Sequence, residues 1–248
     1  LPVRGAADDV LRDATQPEEE GAFFVPRERP DGAKGAQERV LKDVLELHVG
    51  AQPATETGAD QFFQAEAAGD LPKGFAPSVT RALVRGGMDT TMSGMTGALR
   101  LLAQHPDQWQ VVEDNPARIR FVFDEALRYE APTHIVYRTT IDDCELSGYA
   151  LKGDTKIAYL PGAANRDPRK WDDPDRFDVM RDTANVHMSF GADRHNCIGQ
   201  NVARMEAEVM LRELFKRVKR LEPAGDPHYL IHNQLITIDR LPLRAMPR

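Results

Sequence analysis

The feature that most constrains the fold is a helical run of about thirty residues, which begins near Pro77 and ends at His105-Pro106. Apolar residues recur through this run at helical spacing, and proline is well suited to a first helical position. Four glycines nevertheless lie inside the run, and each costs about 0.5–1 kcal/mol relative to alanine in a helix interior. A long helix weakened near its middle raises the question of why small side chains stand there. The glycines are Gly86, Gly87, Gly94 and Gly97.

The rest of the pattern predicts a mainly α-helical fold with small β-sheets. Pro106 and Pro116 are expected to open two shorter helices, which run to about residues 113 and 129. Residues 134–160 are predicted to form strands, with CELSGYAL as one of them and a Lys-Gly-Asp turn after it. Residues 198–221 have the composition of one long helix, and residues 228–243 that of one or two further strands.

The N-terminal third of the chain carries less pattern. Residues 1–75 contain charged and turn-rich stretches, with one helix expected over about residues 36–49. We therefore expect a poorly patterned segment over residues 1–75 and a well-patterned core over residues 76–248. The chain begins with Leu1 rather than methionine, which points to a processed, trimmed or incomplete chain.

Composition excludes several classes of function. The 39 acidic and 32 basic residues give a net charge of −7, and no basic stripe appears, so a nucleic-acid partner is not expected. The longest stretch without a charged side chain is twelve residues, whereas a membrane-spanning helix needs roughly 18 or more apolar residues. No secretory signal opens the chain, and two cysteines cannot build a disulfide scaffold. These features predict a cytoplasmic protein without a membrane segment.

The most informative segment runs from His187 to Gly199 and reads HMSFGADRHNCIG. Its cysteine, Cys197, follows a Phe-Gly turn and stands just before a long predicted helix. The turn would aim the sulfur and the helix N-terminus would stabilise its thiolate, which is what a metal ligand or a nucleophile requires. Gly199 allows close backbone approach beside the sulfur. Taken alone, a cysteine at a helix start is more often a buried structural residue.

This segment resembles the cysteine loop of the cytochrome P-450 haem-thiolate monooxygenases. Their pattern is Phe, two residues, Gly, one residue, a basic residue, one residue, Cys, one residue, Gly, and Phe190, His195, Cys197 and Gly199 match it in register. Asp193 stands where the family has its middle glycine, and aspartate adopts left-handed backbone less readily than glycine. The resemblance implies that Cys197 is the axial ligand of the iron in haem b and that the matching residues surround the cofactor.

A second motif, Glu125-Ala-Leu-Arg128, matches the family's Glu-x-x-Arg. At i and i+3 on a helix the two side chains can pair. The resemblance implies that the pair locks the core behind the haem together with Arg176, which lies in the sequence PDRF. The alternative is an ordinary helix ion pair, which contributes only about 0.3–0.5 kcal/mol when exposed.

A third motif lies in the long helical run, where GGMDTT over residues 86–91 matches the family's oxygen-binding pattern. Gly86 and Gly87 would leave room for a bound diatomic molecule, and a threonine hydroxyl can open the local hydrogen-bond ladder. Asp89 and Thr90 would form an acid–alcohol pair that passes protons to dioxygen. The alternative is a tolerated glycine pair and a buried threonine in a packed helix.

Other site residues follow from the resemblance alone. Arg138, His187 and His195 match positions that bind the haem propionates, for which charge-assisted hydrogen bonds are the expected chemistry. A strand arginine is otherwise usually solvated, and a lone histidine is usually a satisfied surface or core residue. The substrate pocket is expected to be mainly apolar, which suits a small hydrophobic or aromatic molecule. Its expected lining is Val84, Met88, Thr133, Ile135, Val136 and Leu235.

The resemblance implies a cytochrome P-450 fold that is incomplete at its N-terminus, because family chains are substantially longer. It implies a haem-dependent monooxygenase that inserts one oxygen atom from O2 into a small substrate and takes electrons from a ferredoxin-type donor. One alternative is a truncated, non-catalytic fragment with weak or no haem binding. Another is a hydrolase that uses Cys197 as nucleophile with His187 or His195, and a zinc site of these three residues would lack a fourth ligand.

Overall fold

A computed structural model describes residues 58–182 and 186–248, in which helices dominate and strands form short pairs. The helix expected over residues 36–49 lies outside the described residues. The helices are α1 (Gly58–Ala68), α2 (Phe75–Gln104), α3 (Pro106–Asp114), α4 (Ile119–Glu130), α5 (Pro161–Ala164) and α6 (Gln200–Arg217). The strands are β1 (Val136–Thr139), β2 (Cys144–Leu146), β3 (Tyr149–Leu151), β4 (Lys156–Tyr159), β5 (Val218–Pro223), β6 (His228–Ile231), β7 (Ile236–Arg240) and β8 (Leu243–Pro247).

The long predicted helix is present as α2, which begins two residues before Pro77. Its start is capped from α1, because the Glu66 carboxylate accepts the N–H groups of Gly74 and Ala76 at 2.7 Å each. These bonds satisfy amide groups that have no partner within the helix, and they lower the pKa of Glu66. The helix runs unbroken to its predicted end, where Pro106 occupies the first position of α3.

The two halves of α2 have different surroundings. The C-terminal half packs into the main core, where Ala98, Leu101 and Leu102 are fully buried among side chains of α3, α4, α6 and β5. The N-terminal half leaves large apolar side chains exposed, including Val84 and Met88, which are 53% and 49% exposed. Within residues 58–182 and 186–248, no helix combines the length and apolar character needed to cross a bilayer.

Two of the four glycines in α2 allow its close approach to α4. A Cβ atom on Gly94 would lie 2.8 Å from both Leu127 Cδ2 and Phe123 Cε2, and one on Gly97 would lie 3.1 Å from Glu130 Cγ. Such distances are too short for the interior packing that proteins maintain. Packing between the two helices therefore accounts for Gly94 and Gly97.

A buried guanidinium ties α4 to the irregular segment that follows the first strands. Arg128 and Glu125 are both fully buried, and the Nε and Nη2 atoms of Arg128 donate to the two Glu125 carboxylate oxygens at 2.8 and 2.9 Å. The remaining donors reach the main-chain carbonyls of Asn165, Pro174 and Arg176 at 2.8–2.9 Å. The predicted pair therefore exists as a buried hydrogen-bonded hub. Loss of one partner in such a buried pair destabilises the fold far more than loss of an exposed helix ion pair does.

The assignment of Arg176 to this hub needs correction. Only its carbonyl takes part, and its side chain is exposed, because the next residue, Phe177, takes the buried position in the segment. The arginine that faces Glu125 is Arg181, whose Nε lies 3.4 Å from Glu125 Oε1. The Asp178 N–H donates to the same oxygen at 3.0 Å.

The described strands form antiparallel pairs, β1 with β4, β2 with β3, β5 with β8 and β6 with β7. The predicted strand CELSGYAL is instead a hairpin, because Ser147 and Gly148 adopt positive φ angles of 52° and 84° and reverse the chain. The helix predicted over residues 198–221 is shorter in the structure. It ends at Arg217, where residues 218–223 leave the helix to pair with β8.

We expect Gly94→Ala to lower the free energy of unfolding by about 1–2 kcal/mol. Overpacking costs about 1–3 kcal/mol, and the gain in helix propensity returns only about 0.5–1 kcal/mol. Gly87→Ala is the matched control, since a Cβ there would meet no atom within 4 Å, and it should leave stability unchanged or raised. Urea unfolding of both variants measures this, and equal stability of the two would contradict the packing explanation.

We expect Arg128→Lys to lower the free energy of unfolding by about 3–5 kcal/mol, because a lysine cannot span Glu125 and three carbonyls and leaves buried groups unpaired. Arg169→Lys is the control, since that arginine pairs with Asp167 at the surface with 88% of its side chain exposed. It should have no measurable effect in the same denaturation experiment. A tolerated Arg128→Lys would show that the hub is not needed for folding.

Candidate functional site

The cysteine loop is closed by main-chain hydrogen bonds and by two residues with left-handed backbone. The Cys197 N–H donates to the Phe190 carbonyl at 2.7 Å. Gly191 has a φ of 74°, and a Cβ atom there would lie 2.8 Å from the His195 carbonyl oxygen. Asp193 adopts a φ of 52°, so aspartate holds a left-handed conformation at the position where the family pattern has glycine.

The thiol of Cys197 stands at the beginning of α6. Gly199 is the N-cap of that helix, and a Cβ atom on it would lie 3.9 Å from the Cys197 sulfur, an ordinary contact distance. Cys197 is exposed and its thiol is free. A free thiol just before a helix N-terminus is in the setting that favours a thiolate ligand.

A cavity of about 350 Å³ joins the cysteine loop to α2. Gly86, Gly87 and Thr90 line it from α2, and Phe190 and Cys197 line it from the loop. The two segments that most resemble the family's motifs, far apart in sequence, therefore border one space. Further lining comes from Ala82, Leu83, Thr91, Phe123, Leu127, Pro132, Thr133, Val136, Arg138, Tyr159, Pro161, Met188, Ser189, Gly191, His195, Ile198, Gly199 and Ala203.

The α2 wall of the cavity is bare backbone next to a hydroxyl group. Cβ atoms on Gly86 and Gly87 would meet nothing within 4 Å, so these glycines leave open space rather than allowing helix packing. The Thr90 hydroxyl donates to the Gly86 carbonyl at 2.5 Å. Asp89 is exposed and is not among the lining residues, and its carbonyl accepts a bond from the Ser93 hydroxyl at 2.6 Å.

Two basic side chains, those of Arg138 and His195, line the same cavity. Arg138 and Val136 share one face of β1 because side chains alternate along a strand, and both border the space. The Arg138 guanidinium lies 5.6 Å from the centre of the Tyr159 ring and donates to the Tyr137 carbonyl at 2.8 Å. His195 is exposed on the cysteine loop.

His187 lies elsewhere, and the expected propionate contact finds no support in its placement. Its side chain is buried, does not line the cavity, and places Nε2 2.9 Å from Asp124 Oδ1. Its Nδ1 accepts the Ser189 N–H at 3.2 Å, so both ring nitrogens are engaged. A hydrolase with His187 as base is unsupported for the same reason. Within the described part of the chain, no group of three His, Cys, Asp or Glu residues is arranged to hold a metal ion.

Two of the six residues expected to contact substrate, Thr133 and Val136, line the cavity. Val84 and Met88 do not, because the cavity-facing side of α2 follows the spacing 83, 86, 87 and 90, which places residues 84 and 88 on the neighbouring face. Ile135, directly before β1, does not line the cavity, and neither does Leu235, which forms an isolated bridge with Thr133. The spacing from Gly86 and Thr90 would have identified Leu83, which the sequence analysis missed.

The residues around the cavity fit a flat, mainly apolar cofactor that carries carboxylates and takes a sulfur ligand. The α2 wall has room beside its backbone, and the other walls include Phe123, Leu127 and Val136. Arg138 and His195 supply donors for carboxylates at the border. This donor set matches the needs of haem with a thiolate ligand.

Comparison with known proteins agrees with this geometry. A sequence model of the family described as Cytochrome P-450 matches residues 119–243. The chain is 40% identical over 179 residues to cytochrome P-450 CYP199A2 of Rhodopseudomonas palustris, covering 72% of this chain and 43% of that protein. It is 33% identical to 6-deoxyerythronolide B hydroxylase of Saccharopolyspora erythraea, covering 88% of this chain and 55% of the relative.

A solved structure gives the same result at the level of the fold. The structure of cytochrome P-450 CYP109Q5 from Chondromyces apiculatus superposes with a TM-score of 0.67 at 34% identity, covering 72% of this chain and 46% of that one. The chain thus spans about half the length of the relatives it matches. The matching family model, the sequence relatives and the shared fold together show that this chain belongs to the cytochrome P-450 family.

Proposed function

We propose that this chain carries the haem-thiolate core of a monooxygenase that inserts one oxygen atom from O2 into a small hydrophobic or aromatic substrate. The observation that carries the proposal is the shared cavity, which brings Cys197 together with Gly86, Gly87 and Thr90. The proposal assigns this core to residues 76–248. The relatives support the general reaction class, since one is named as a hydroxylase and another, from Pseudomonas putida, as linalool 8-monooxygenase.

In this proposal the cofactor would be haem b, Cys197 would hold it as thiolate ligand, and Arg138 and His195 would donate hydrogen bonds to its carboxylates. Haem with a thiolate ligand supplies the binding and reductive activation of dioxygen. Phe190 and Gly199 line the same space as Cys197. The apolar side chains of Phe123 and Leu127 exclude water from the wall formed by α4.

In this proposal the Thr90 hydroxyl holds a proton beside Gly86 and Gly87 of α2. Its hydroxyl hydrogen is directed at the Gly86 carbonyl, which leaves the Oγ1 lone pairs free to accept a hydrogen bond from water or from a ligand in the cavity. Rotation of the hydroxyl would turn the same group into a donor. Asp89, adjacent and exposed, would exchange protons with solvent on the outer side of the helix.

Substrate and electron supply form the finer part of the proposal. Leu83 and Val136 give the cavity apolar lining, which favours a small hydrophobic or aromatic molecule. Electrons would come from a separate ferredoxin-type donor. A reducing cytoplasmic setting suits a chain whose cysteines, Cys144 and Cys197, are both free thiols.

We expect Cys197→Ser to abolish the red-shifted Soret band that the wild-type chain gives when it is loaded with haem, reduced and exposed to carbon monoxide. The serine oxygen cannot replace the electron-rich sulfur as ligand. Cys144→Ser is the matched control, because Cys144 is exposed on β2 and does not line the cavity, and its spectrum should equal that of the wild type. A band that persists in Cys197→Ser would refute the ligand assignment, and failure of the wild-type chain to take up haem would support the non-catalytic alternative.

We expect Thr90→Ala to raise the ratio of hydrogen peroxide to hydroxylated product by about tenfold or more, because loss of a positioned proton donor slows the productive step. The assay uses the haem-loaded chain with a ferredoxin and its reductase and a panel of small aromatic compounds. Thr96→Ala is the control, since its hydroxyl makes the same kind of bond, to the Met92 carbonyl at 2.8 Å, away from the cavity. An unchanged ratio in Thr90→Ala would remove this residue from the proposal.

A further inference from the structure

A buried carboxylate on α4 has no part in the function proposed above. Asp124 precedes Glu125, and its side chain is 1% exposed. Burying a carboxylate is costly unless the group is paired and hydrogen-bonded. Asp124 accepts bonds from two side chains, His187 Nε2 at 2.9 Å and Arg204 Nε at 2.9 and 3.2 Å to its two oxygens.

The two partners of Asp124 come from the two ends of the cysteine loop. His187 is the first residue of the segment that contains the loop, and Arg204 lies on the second turn of α6, immediately after it. The Ser189 N–H occupies His187 Nδ1, so the Nε2 proton points to the carboxylate. One carboxylate therefore receives donors from before and after the cysteine.

The same two side chains hold the aromatic residue of the loop. The Phe190 ring lies with its centre 5.4 Å from that of His187, and the Arg204 guanidinium carbon lies 4.6 Å from the Phe190 ring centre. The carbonyl of Phe190 is the acceptor for the Cys197 N–H. A connected set of contacts thus runs from Asp124 through its partners and Phe190 to the main chain of Cys197.

We propose that Asp124 is a positioning residue for the Cys197 sulfur, acting as a clamp that joins both ends of the loop to α4. The assignment rests on the proposed function, since it gives the clamp its purpose in orienting a metal ligand. Partners that orient a metal ligand without touching the metal typically change metal affinity by about 10- to 100-fold when removed. The clamp itself is a property of the protein and is present without the cofactor.

Hydrogen exchange of the haem-free chain tests the clamp directly. In Asp124→Ala we expect protection of the loop amides, above all those of Gly191 and Cys197, to fall by about fivefold or more, because a buried donor loses its acceptor. Asp124→Asn keeps an oxygen acceptor but loses the charge, so it should show a smaller loss. Arg204→Gln, which changes a partly exposed side chain, tests the same clamp should Asp124→Ala fail to fold.

The control variant is Gln108→Ala, which truncates a buried side chain on α3 that does not line the cavity. Its Oε1 accepts the Val179 N–H at 2.9 Å, so the change should lower overall stability without loosening the loop selectively. Exchange in residues 136–160 serves as an internal reference in every variant. Equal loosening of the loop in Gln108→Ala and the clamp variants would overturn the proposal, since it would reduce the effect to general destabilisation.

Haem binding provides the second readout. We expect the clamp variants to bind haem b about 10- to 100-fold more weakly and to lose part of the red-shifted carbon monoxide band, while Gln108→Ala retains it. If wild-type protein shows no such band, the proposed function fails, whereas the exchange experiment still decides on the clamp. Clamp variants with wild-type loop protection and a wild-type band would refute the role of Asp124.

Discussion

The structure depends most on the buried polar side chains of α4, which are Asp124, Glu125 and Arg128. Arg128 is fully buried, and its guanidinium donates hydrogen bonds to Glu125 and to three main-chain carbonyls. These bonds fix the irregular segment around residues 165–176 to the helix. Asn165 passes this constraint on, because its side chain bonds the Met188 N–H at 2.6 Å and the Ser189 hydroxyl at 2.9 Å. Asn165 thereby joins this segment to the beginning of the cysteine loop, where Met188 and Ser189 lie.

The long helix α2 combines two requirements that both favour glycine. At Gly94 and Gly97 the neighbouring α4 comes too close for a side chain, whereas at Gly86 and Gly87 the space beside the backbone is open and belongs to the cavity. The first pair serves packing and the second serves the site. The propensity lost at all four positions is compensated by burial in the C-terminal half, where tertiary packing decides helix stability.

Local patterns in the sequence predicted much of this arrangement. The bounds of α2 and α3 and the pairing of Glu125 with Arg128 depend on short-range chemistry that a sequence displays. The errors arose where long-range contacts decide. Pairing with β8 ends α6 early, burial of Phe177 turns the Arg176 side chain outward, and Asp124 draws His187 away from the cavity.

Other differences concern which face of a helix a residue occupies. Val84 and Met88, which were predicted to contact substrate, lie on the face of α2 next to the one that lines the cavity, and Gly86 and Thr90 already define that lining face. Asp124 was missed because an acidic residue on an amphipathic helix resembles a surface position until its two partners are brought to it. Its importance depends on a contact between residues more than sixty positions apart.

The central claim is that the Cys197 sulfur binds iron within the cavity that α2 borders. Iron X-ray absorption spectroscopy of the haem-loaded chain tests it most directly, because sulfur differs from nitrogen and oxygen in both scattering strength and bond length. We expect a sulfur atom among the iron ligands, and we expect it to be lost in Cys197→Ser. A set of ligands containing only nitrogen and oxygen in the unaltered protein would contradict it.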